Sequence, residues 1–493
     1  MNTFYVTTAI PYVNAAPHLG HALELVQADV LARHARLRGR PVRFLTGTDD
    51  NALKNVTAAR AAGVDVRAFV DRNADRFAAL REPLALSFDD FIRTGADTRH
   101  PAGVERLWRE CAAAGDFYRH SYQGLYCPGC EQFYPENELP GGLCPEHGVP
   151  PETVSEENWF FRLSRYTEQI REILESGRVR IEPPARRNEV LALVRDGLTD
   201  FSVSRPAARA GGWGIPVPGD PGQVVYVWWD ALANYVTALG YGSGHPEYRR
   251  WWASPGERVH VIGKGIVRFH AVYWLALLLS AGLPLPTAVL VHDYLSVDGA
   301  KISKSAGNAV DPAELSARYG VDAVRWWLLR EVAPLGDTDF TVERLVRRAD
   351  GDLANGLGNL VNRTLTLAWK HRDGRIPETV ASGGRLGGLC AALPGRIDAA
   401  LHRFDFRAAT GALWSVVDEG NRYVESERPW EPAAEERRDA VLGTLIAACR
   451  LVTAELEPFL PAGAARLRDR LLTGDHVARP EPVFPRLAAP SRR

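Results

Sequence analysis

Two imidazoles three residues apart, in Pro17-His18-Leu19-Gly20-His21, stand at the mouth of a helical pattern that follows a short buried strand over residues 4–9. Residues at this spacing share one side of a helix's first turn, and the free N–H groups and dipole of that turn favour phosphate. Gly20 has no side chain, so a nucleotide can lie close. Read alone, the two histidines are helix-cap polar groups sooner than ligands. A second group adds weight to the ligand reading. Lys301-Ile302-Ser303-Lys304-Ser305 follows the turn at Asp298-Gly299 and precedes Ala306-Gly307-Asn308. The chain has 59 basic residues, yet only five are lysine, at 54, 264, 301, 304 and 370, so two of the five sit on this one loop. Two ammonium groups on a Ser/Gly-rich loop can swing onto the β- and γ-phosphates of ATP and neutralise charge as pyrophosphate leaves. The alternative is a solvated charge pair, which arginine would serve equally well.

Cys127-Pro128-Gly129-Cys130 and Cys144-Pro145-Glu146-His147 form two hooks thirteen residues apart, the spacing of a closed tetrahedral Cys3His zinc site. One structural Zn2+ is therefore expected, supplying stability that a small polar insertion cannot draw from its own core. A disulfide is the alternative and needs an oxidising compartment. Six cysteines are too few for a disulfide framework, and Met1-Asn2-Thr3-Phe4-Tyr5-Val6 has no signal-peptide character, so a reducing cytoplasm is expected. Cys111, Cys390 and Cys449 are isolated and read as buried.

These groups need a scaffold. At 493 residues about three domains are expected. Apolar residues at 46% and charged residues at 24% exclude a disordered, collagenous or disulfide-stapled chain. A net charge of −1 supplies no steering field, so a nucleic acid would be held by local basic patches. The apolar run 271–291 is cut by Gly282, Pro284 and Pro286, which makes it a buried helix, a turn and a strand rather than a membrane span. Strands over 4–9 and 42–45, with helices over 18–37 and 56–80, indicate an α/β doubly wound parallel sheet, Rossmann-like in its order. The pattern breaks over a Pro-, Gly- and aromatic-rich stretch that looks inserted. It resumes with a strand over 224–228, a helix to 239, a strand over 259–262, a helix over 266–281 and a strand over 288–291. After 345 the apolar spacing is helical throughout, with residues 372–388 linking two helices of a bundle. The expected organisation is a first catalytic half over 1–116, an inserted metal-binding connective domain over 117–222, a second catalytic half with the lysine loop over 223–345, and an all-α domain over 346–493.

The histidine and lysine motifs resemble the two signatures of class I aminoacyl-tRNA synthetases, with Ile302 where methionine is more usual. Thr8-Ala9-Ile10-Pro11-Tyr12, Gly47-Thr48-Asp49, Val227-Trp228-Trp229-Asp230-Ala231 and Phe269-His270-Ala271-Val272-Tyr273-Trp274 resemble motifs of the methionyl-tRNA synthetase family, and the resemblance runs nearly end to end. It implies that His18, Gly20, His21, Gly263, Lys301 and Lys304 bind ATP with Mg2+, and that His18, His21, Lys301 and Lys304 are catalytic. It implies that Asp49 and the carbonyl of Ile10 hold the α-ammonium of L-methionine, while Tyr12, Trp228, Ala231, Tyr235, Ile266, His270 and Trp274 enclose the thioether. A polarizable sulfur on an unbranched chain suits an aromatic box; taken singly, Trp228 and Trp274 read as core residues before ligands. Asn362, Arg363, Asn421 and Trp430 would read the anticodon of a methionine tRNA by stacking and edge hydrogen bonds, although Trp430 could instead pack on its own bundle. The chain lacks the C-terminal extension with which some family members dimerise, so a monomer is the expectation.

The chain also departs from the family's pattern. Asn51-Ala52 stands where His-Gly is usual, and Gly263-Lys264-Gly265-Ile266 where Gly-Lys-Asp-Ile is usual. That aspartate ordinarily bonds the ATP ribose, and losing one such bond weakens binding by about 1–3 kcal/mol unless water or a neighbour substitutes. Arg205 matches an arginine near the same site, whose carboxylate partner would then be missing. Two other readings stay open on these grounds: a paralogue that adenylates an amino acid for a non-tRNA acceptor, and a catalytically idle RNA-binding protein.

Overall fold

The computed structural model describes residues 3–130, 132–297, 299–302, 309–378, 384–431, 435–471 and 474–487. The chain forms two compact units, one of Met1–Pro17, Arg38–Ala79 and Ser87–His292, the other of His18–Leu37, Leu80–Leu86 and Asp293–Arg493.

The first unit is built on strands β1 (Thr3–Thr8), β2 (Val42–Thr48), β3 (Asp90–Arg93), β4 (Phe117–Cys127), β5 (Gln132–Tyr134), β6 (Glu152–Phe161), β7 (Arg180–Glu182), β8 (Phe201–Ser202), β9 (Ser204–Pro206), β10 (Pro216–Val217), β11 (Asp220–Val225), β12 (Gly256–Gly263) and β13 (Ala288–His292). Six of them make one sheet in the order β3-β2-β1-β12-β13-β7, and every pairing in it is parallel. Residues 4–8 of β1 and 44–48 of β2 are buried without alternation, as expected for strands covered on both faces. Gly47 is required where β2 meets β3, because a Cβ there would lie 2.1 Å from the carbonyl oxygen of Ile92. The strand order reverses between β1 and β12, which makes the carboxyl ends of those two strands the crevice where a doubly wound sheet binds ligands.

Several elements differ from the sequence reading. The helix expected over 56–80 is two, Leu53–Ala61 and Val66–Ala78, split where Gly63 takes φ +64° and Asp65 caps the second by accepting from the N–H of Ala68. The strand expected over 224–228 ends at Val225, and Trp228 lies in the helix Val227–Thr237. That strand, β11, pairs antiparallel with β9 and β10 outside the parallel sheet. The stretch that broke the pattern contains a long antiparallel pair, β4 with β6, in a four-stranded sheet of order β5-β4-β6-β8, and it lends β7 to the edge of the parallel sheet.

The second unit holds the helix Leu19–Leu37, a three-stranded sheet of β14 (Leu295–Val297), β15 (Ala300–Lys301) and β16 (Thr338–Phe340), and a helical bundle that includes Asn359–Arg372, Gly384–His402, Phe406–Glu427 and Glu435–Leu456. A buried arginine explains why residues so far apart in sequence share this unit. Arg325, fully buried, pairs with Asp29 at 2.8 Å and donates to the carbonyls of Leu84, Pro458 and Phe459 at 2.8–3.0 Å. Arg33 also reaches Asp29 and Glu457, each at 2.9 Å. A buried guanidinium satisfied on this many sides is costly to disrupt, since removing one partner strands a charge. Among the described residues no helix is long and apolar enough to cross a membrane.

Candidate functional site

In the second unit the histidine turn closes on itself. The Nδ1 of His18 accepts from the N–H of Gly20, and the Nδ1 of His21 accepts from the N–H of His18, both at 3.1 Å. This is a reciprocal cap built from two imidazoles, so the helix-cap reading is realised in the structure. It does not exclude a ligand role. A nitrogen that accepts carries no proton, so each neutral ring is a donor at Nε2. Burial lowers the His18 pKa to about 4, which keeps that ring neutral at pH 7. The rings lie 3.9 Å apart between centroids, and a Cβ at Gly20 would press within 3.0 Å of the His18 ring.

Of the lysine motif, Lys301 lies in β15, where its backbone faces Ser296 of β14. Ser303, Lys304 and Ser305 lie outside the described residues. The chain that returns from the loop is fixed at the histidine turn, since the N–H of Leu19 donates to the carbonyl of Val310 at 3.0 Å.

In the first unit the residues expected around methionine gather where strands end. Ile10 and Tyr12 follow β1, Asp49 follows β2 and forms a bridge to Tyr12, and Gly263 and Ile266 close β12. Asp49 is fully buried, and its Oδ1 accepts from the N–H of Asn51 at 3.1 Å and from the Thr94 hydroxyl at 3.4 Å. The rings of Tyr12 and Trp228 meet edge to face at 6.1 Å, and Trp228 stacks on Phe269 at 3.7 Å. Behind them, His270 donates from Nδ1 to the carbonyl of Ile266 at 3.0 Å, which leaves Nε2 to accept from the Tyr235 hydroxyl at 2.7 Å. Tyr235 also lies 5.9 Å from Trp274, whose indole N–H donates to His260 at 3.2 Å. Ala231 sits buried on the same helix as Trp228 and Tyr235. Phe269, His260, Thr94 and Lys54 were given no role from sequence; Phe269 stands in a motif quoted for the resemblance and Lys54 is one of five lysines, whereas His260 and Thr94 carried no signal. Arg205 is 4% exposed and, among the described residues, pairs with no carboxylate. The rings of Tyr126, Phe133 and Tyr226 surround its guanidinium at 4.4–5.4 Å, and it donates to Ser202 and to the carbonyl of Ser204.

Burial of His270 lowers its pKa to about 4 and pushes His260 well below the ordinary value. An unfolded histidine takes a proton below about pH 6.5, whereas folded His270 does so only near pH 4. Between those values the unfolded state binds more protons, so stability falls as pH drops through the window, by up to about 3 kcal/mol for His270. Urea midpoints at pH 7, 5.5 and 4.5 should decline in step, and His270→Gln should flatten the slope.

The two metal hooks close on one point. The ligand atoms of Cys127, Cys130, Cys144 and His147 all lie within 4.8 Å of one another. The His147 Nδ1 is 3.2–3.9 Å from the three sulfurs, and the sulfurs of Cys130 and Cys144 are 3.3 Å apart without a disulfide. Ligands about 2.3 Å from a tetrahedral ion stand about 3.8 Å from each other, so this donor set fits a metal. Gly129 is required beneath it, because a Cβ there would meet the His147 ring at 2.7 Å. The same turn touches the aromatic residues: Lys54 donates to the Gly129 carbonyl at 2.7 Å while lying 5.0 Å from the Tyr12 ring centroid, and the Trp228 indole donates to the Cys130 carbonyl at 3.4 Å.

In the bundle, Arg363 pairs with Glu425 at 2.7 Å and lies 5.9 Å from the ring of Trp430, which is 41% exposed. Asn362 is on the same helix, and its buried side-chain oxygen accepts from no described group. Asn421 is tethered instead, donating to the carbonyls of Gly356 and Val417 at 3.1–3.2 Å.

Comparison with known proteins agrees along the whole chain. The family described as tRNA synthetases class I (M) matches residues 4–150 and 142–365. A methionine–tRNA ligase of Brucella suis is 40% identical over 98% of this chain and 98% of its own, and one of Mycobacterium tuberculosis is 41% identical over 99% of both. The Mycobacterium tuberculosis methionyl-tRNA synthetase solved in complex with methionyl-adenylate superposes with a TM-score of 0.92 at 40% identity, covering 99% of this chain and 100% of that one. With the parallel sheet, the metal-ligand cluster and the helical C-terminal region on the same chain, this protein belongs to the methionyl-tRNA synthetase family of class I aminoacyl-tRNA synthetases, a family of ligases.

Proposed function

We propose that the chain activates L-methionine with ATP and transfers it to the 3′ end of methionine tRNA. The likeness over the full length to a synthetase that holds methionyl-adenylate carries this reading, and the aromatic pocket at the reversal of strand order supports it. A methionine carboxylate oxygen attacks the α-phosphorus of ATP, the bond to the β-phosphate breaks, and pyrophosphate leaves. A terminal ribose hydroxyl of tRNA then attacks the aminoacyl carbonyl, its proton is lost, and AMP leaves. The first step needs no general base, so alignment and charge stabilisation do most of the work.

In this reading Asp49 and the Ile10 carbonyl hold the ammonium, and Tyr12, Trp228, Ala231, Tyr235, Ile266, His270 and Trp274 enclose the side chain. A neutral His270, bonded on both nitrogens, makes no demand on a thioether. His18, Gly20, His21, Gly263, Lys301 and Lys304 take ATP, accompanied by Mg2+, with His18, His21, Lys301 and Lys304 stabilising the leaving charge. Cys127, Cys130, Cys144 and His147 hold one Zn2+, whose contribution is structural. Residues 346–493 form the anticodon-binding domain, and the enzyme works in the cytoplasm as a monomer.

The test is methionine-dependent exchange between pyrophosphate and ATP, followed by charging of methionine tRNA. Both reactions should proceed; exchange without charging would favour a non-tRNA acceptor, and no exchange would sink the activity. The non-tRNA reading draws on Gly265, Asn51 and Ala52, and Arg205, caged by rings instead of paired with an acid, accords with it. Trp430→Ala should raise the KM for tRNA about tenfold or more, in line with about 1–3 kcal/mol per stacked base, and leave exchange unchanged. Equal charging kinetics in the two proteins would remove Trp430 from anticodon recognition.

A further inference from the structure

Asn51 occupies the position where the family usually has histidine, and its bonds reach two different parts of the amino-acid pocket. Its backbone N–H donates to Asp49 Oδ1 at 3.1 Å, and its side-chain Nδ2 donates to Asp230 Oδ2 at 2.6 Å. Asp230 lies in the first turn of the helix that carries Trp228, Ala231 and Tyr235, and it is 1% exposed. The orientation of the amide is not ambiguous, because a carboxylate only accepts and the nitrogen must face it. The other oxygen of Asp230 is bonded by His100 Nε2, and His100 Nδ1 meets the Thr237 hydroxyl at 2.7 Å, at the end of the same helix. Asp230 is thus held on one side by its own helix's neighbour and on the other by the loop of Asp49. Space for this arrangement comes from Gly95, where a Cβ would stand 2.8 Å from the Asp50 Cβ and 3.2 Å from the Asn51 Oδ1.

We propose that Asn51 is a positioning residue that sets the distance between the Asp49 carboxylate and the aromatic wall of the pocket, and thereby the affinity for methionine. This rests on the reading of the pocket as a methionine site. A ligand gripped at its ammonium by Asp49 and at its side chain by Trp228, Ala231 and Tyr235 binds well only if the two grips are held in register, and Asn51 is the residue that bonds to both, to Asp49 through its backbone N–H and to Asp230 on the aromatic helix through its side chain. These two bonds both serve the amino-acid pocket, so ATP binding should be left alone.

The test compares Asn51→Leu, which keeps the volume and removes the donor, with Asn51→His, which restores an N–H. In methionine-dependent exchange, Asn51→Leu should raise the methionine KM at least tenfold with the KM for ATP within twofold of wild type, and Asn51→His should bring the methionine KM back to within about threefold. A methionine KM within twofold of wild type in Asn51→Leu would overturn the proposal. So would a parallel rise in both KM values with a lowered thermal midpoint that Asn51→His does not reverse, because that describes general damage. If Asn51→Leu does not fold, Asn51→Asp sets a second carboxylate against Asp230 in nearly the same shape; a selective rise in methionine KM supports the role and an unchanged one ends it. Failure of the wild type to exchange with methionine defeats the substrate reading and this proposal with it. Wild-type exchange matched by Asn51→Leu defeats the positioning role alone.

Discussion

Substituting His18→Asn should slow methionine-dependent pyrophosphate exchange by about 10²–10³-fold, the usual cost of removing one donor aimed at developing charge, while the fold stays intact. The reciprocal cap makes the substitution informative. Asparagine is a good N-cap and can accept from the N–H of Gly20 as the His18 Nδ1 does, but it cannot reproduce the ring's Nε2–H. His18→Ala removes both, so it should show the same rate loss and a further stability loss of about 1 kcal/mol. Lys304→Ala should match the rate loss with methionine affinity unchanged, since its ammonium acts on phosphate alone in this reading. If His18→Asn exchanges as fast as wild type, the histidines are only a cap. If Lys304→Ala loses rate and methionine affinity equally, the lysine has another task.

Removing the metal should be the largest perturbation of structure. Structural zinc sites in small domains are worth about 10–16 kcal/mol of apparent binding energy, and that energy is folding energy. Cys127→Ala should drop the metal content from about one ion per chain to nearly none. Hydrogen exchange should then lose protection over the knuckle from Cys127 to His147 while the parallel sheet keeps it. The buried cluster beneath the site is small, consisting of Cys127, Tyr134, Leu139 and Cys144 with Leu125 and Cys130 against it, and cannot hold this turn closed unaided. Unchanged protection in metal-stripped protein would show that the knuckle stands on packing alone.

What could be read from the sequence was local. The strand at 4–8, the helix that follows it and the metal hooks each depend on residues within a few turns of one another, so spacing identifies them. The break after Ala61 was equally local, a Gly-Val-Asp stop-and-cap signal inside an apolar pattern that looked continuous. β3 has only four residues, two of them charged, and gave no alternation to detect. β11 has the composition of a buried strand, yet composition does not say which partner it takes, and its partners are antiparallel. In the pocket, the family resemblance implied Tyr12, Trp228 and Trp274, but the bond from Asn51 to Asp230 spans 179 positions and has no sequence signature. For Arg205 the sequence suggested that the acid partner is missing, as found, but not that three aromatic rings take its place.

The contacts of the metal turn also bear on inhibitor discovery. Main-chain oxygens at 129 and 130 accept from Lys54 and Trp228, and those two side chains lie against the ring of Tyr12 in the proposed methionine site. With Zn2+ bound as proposed, a chelating additive in an assay buffer would act on those side chains through the turn as well as strip the ion. Potencies ranked on partly depleted enzyme would not transfer to the loaded form, and screening campaigns should titrate zinc before they titrate drug.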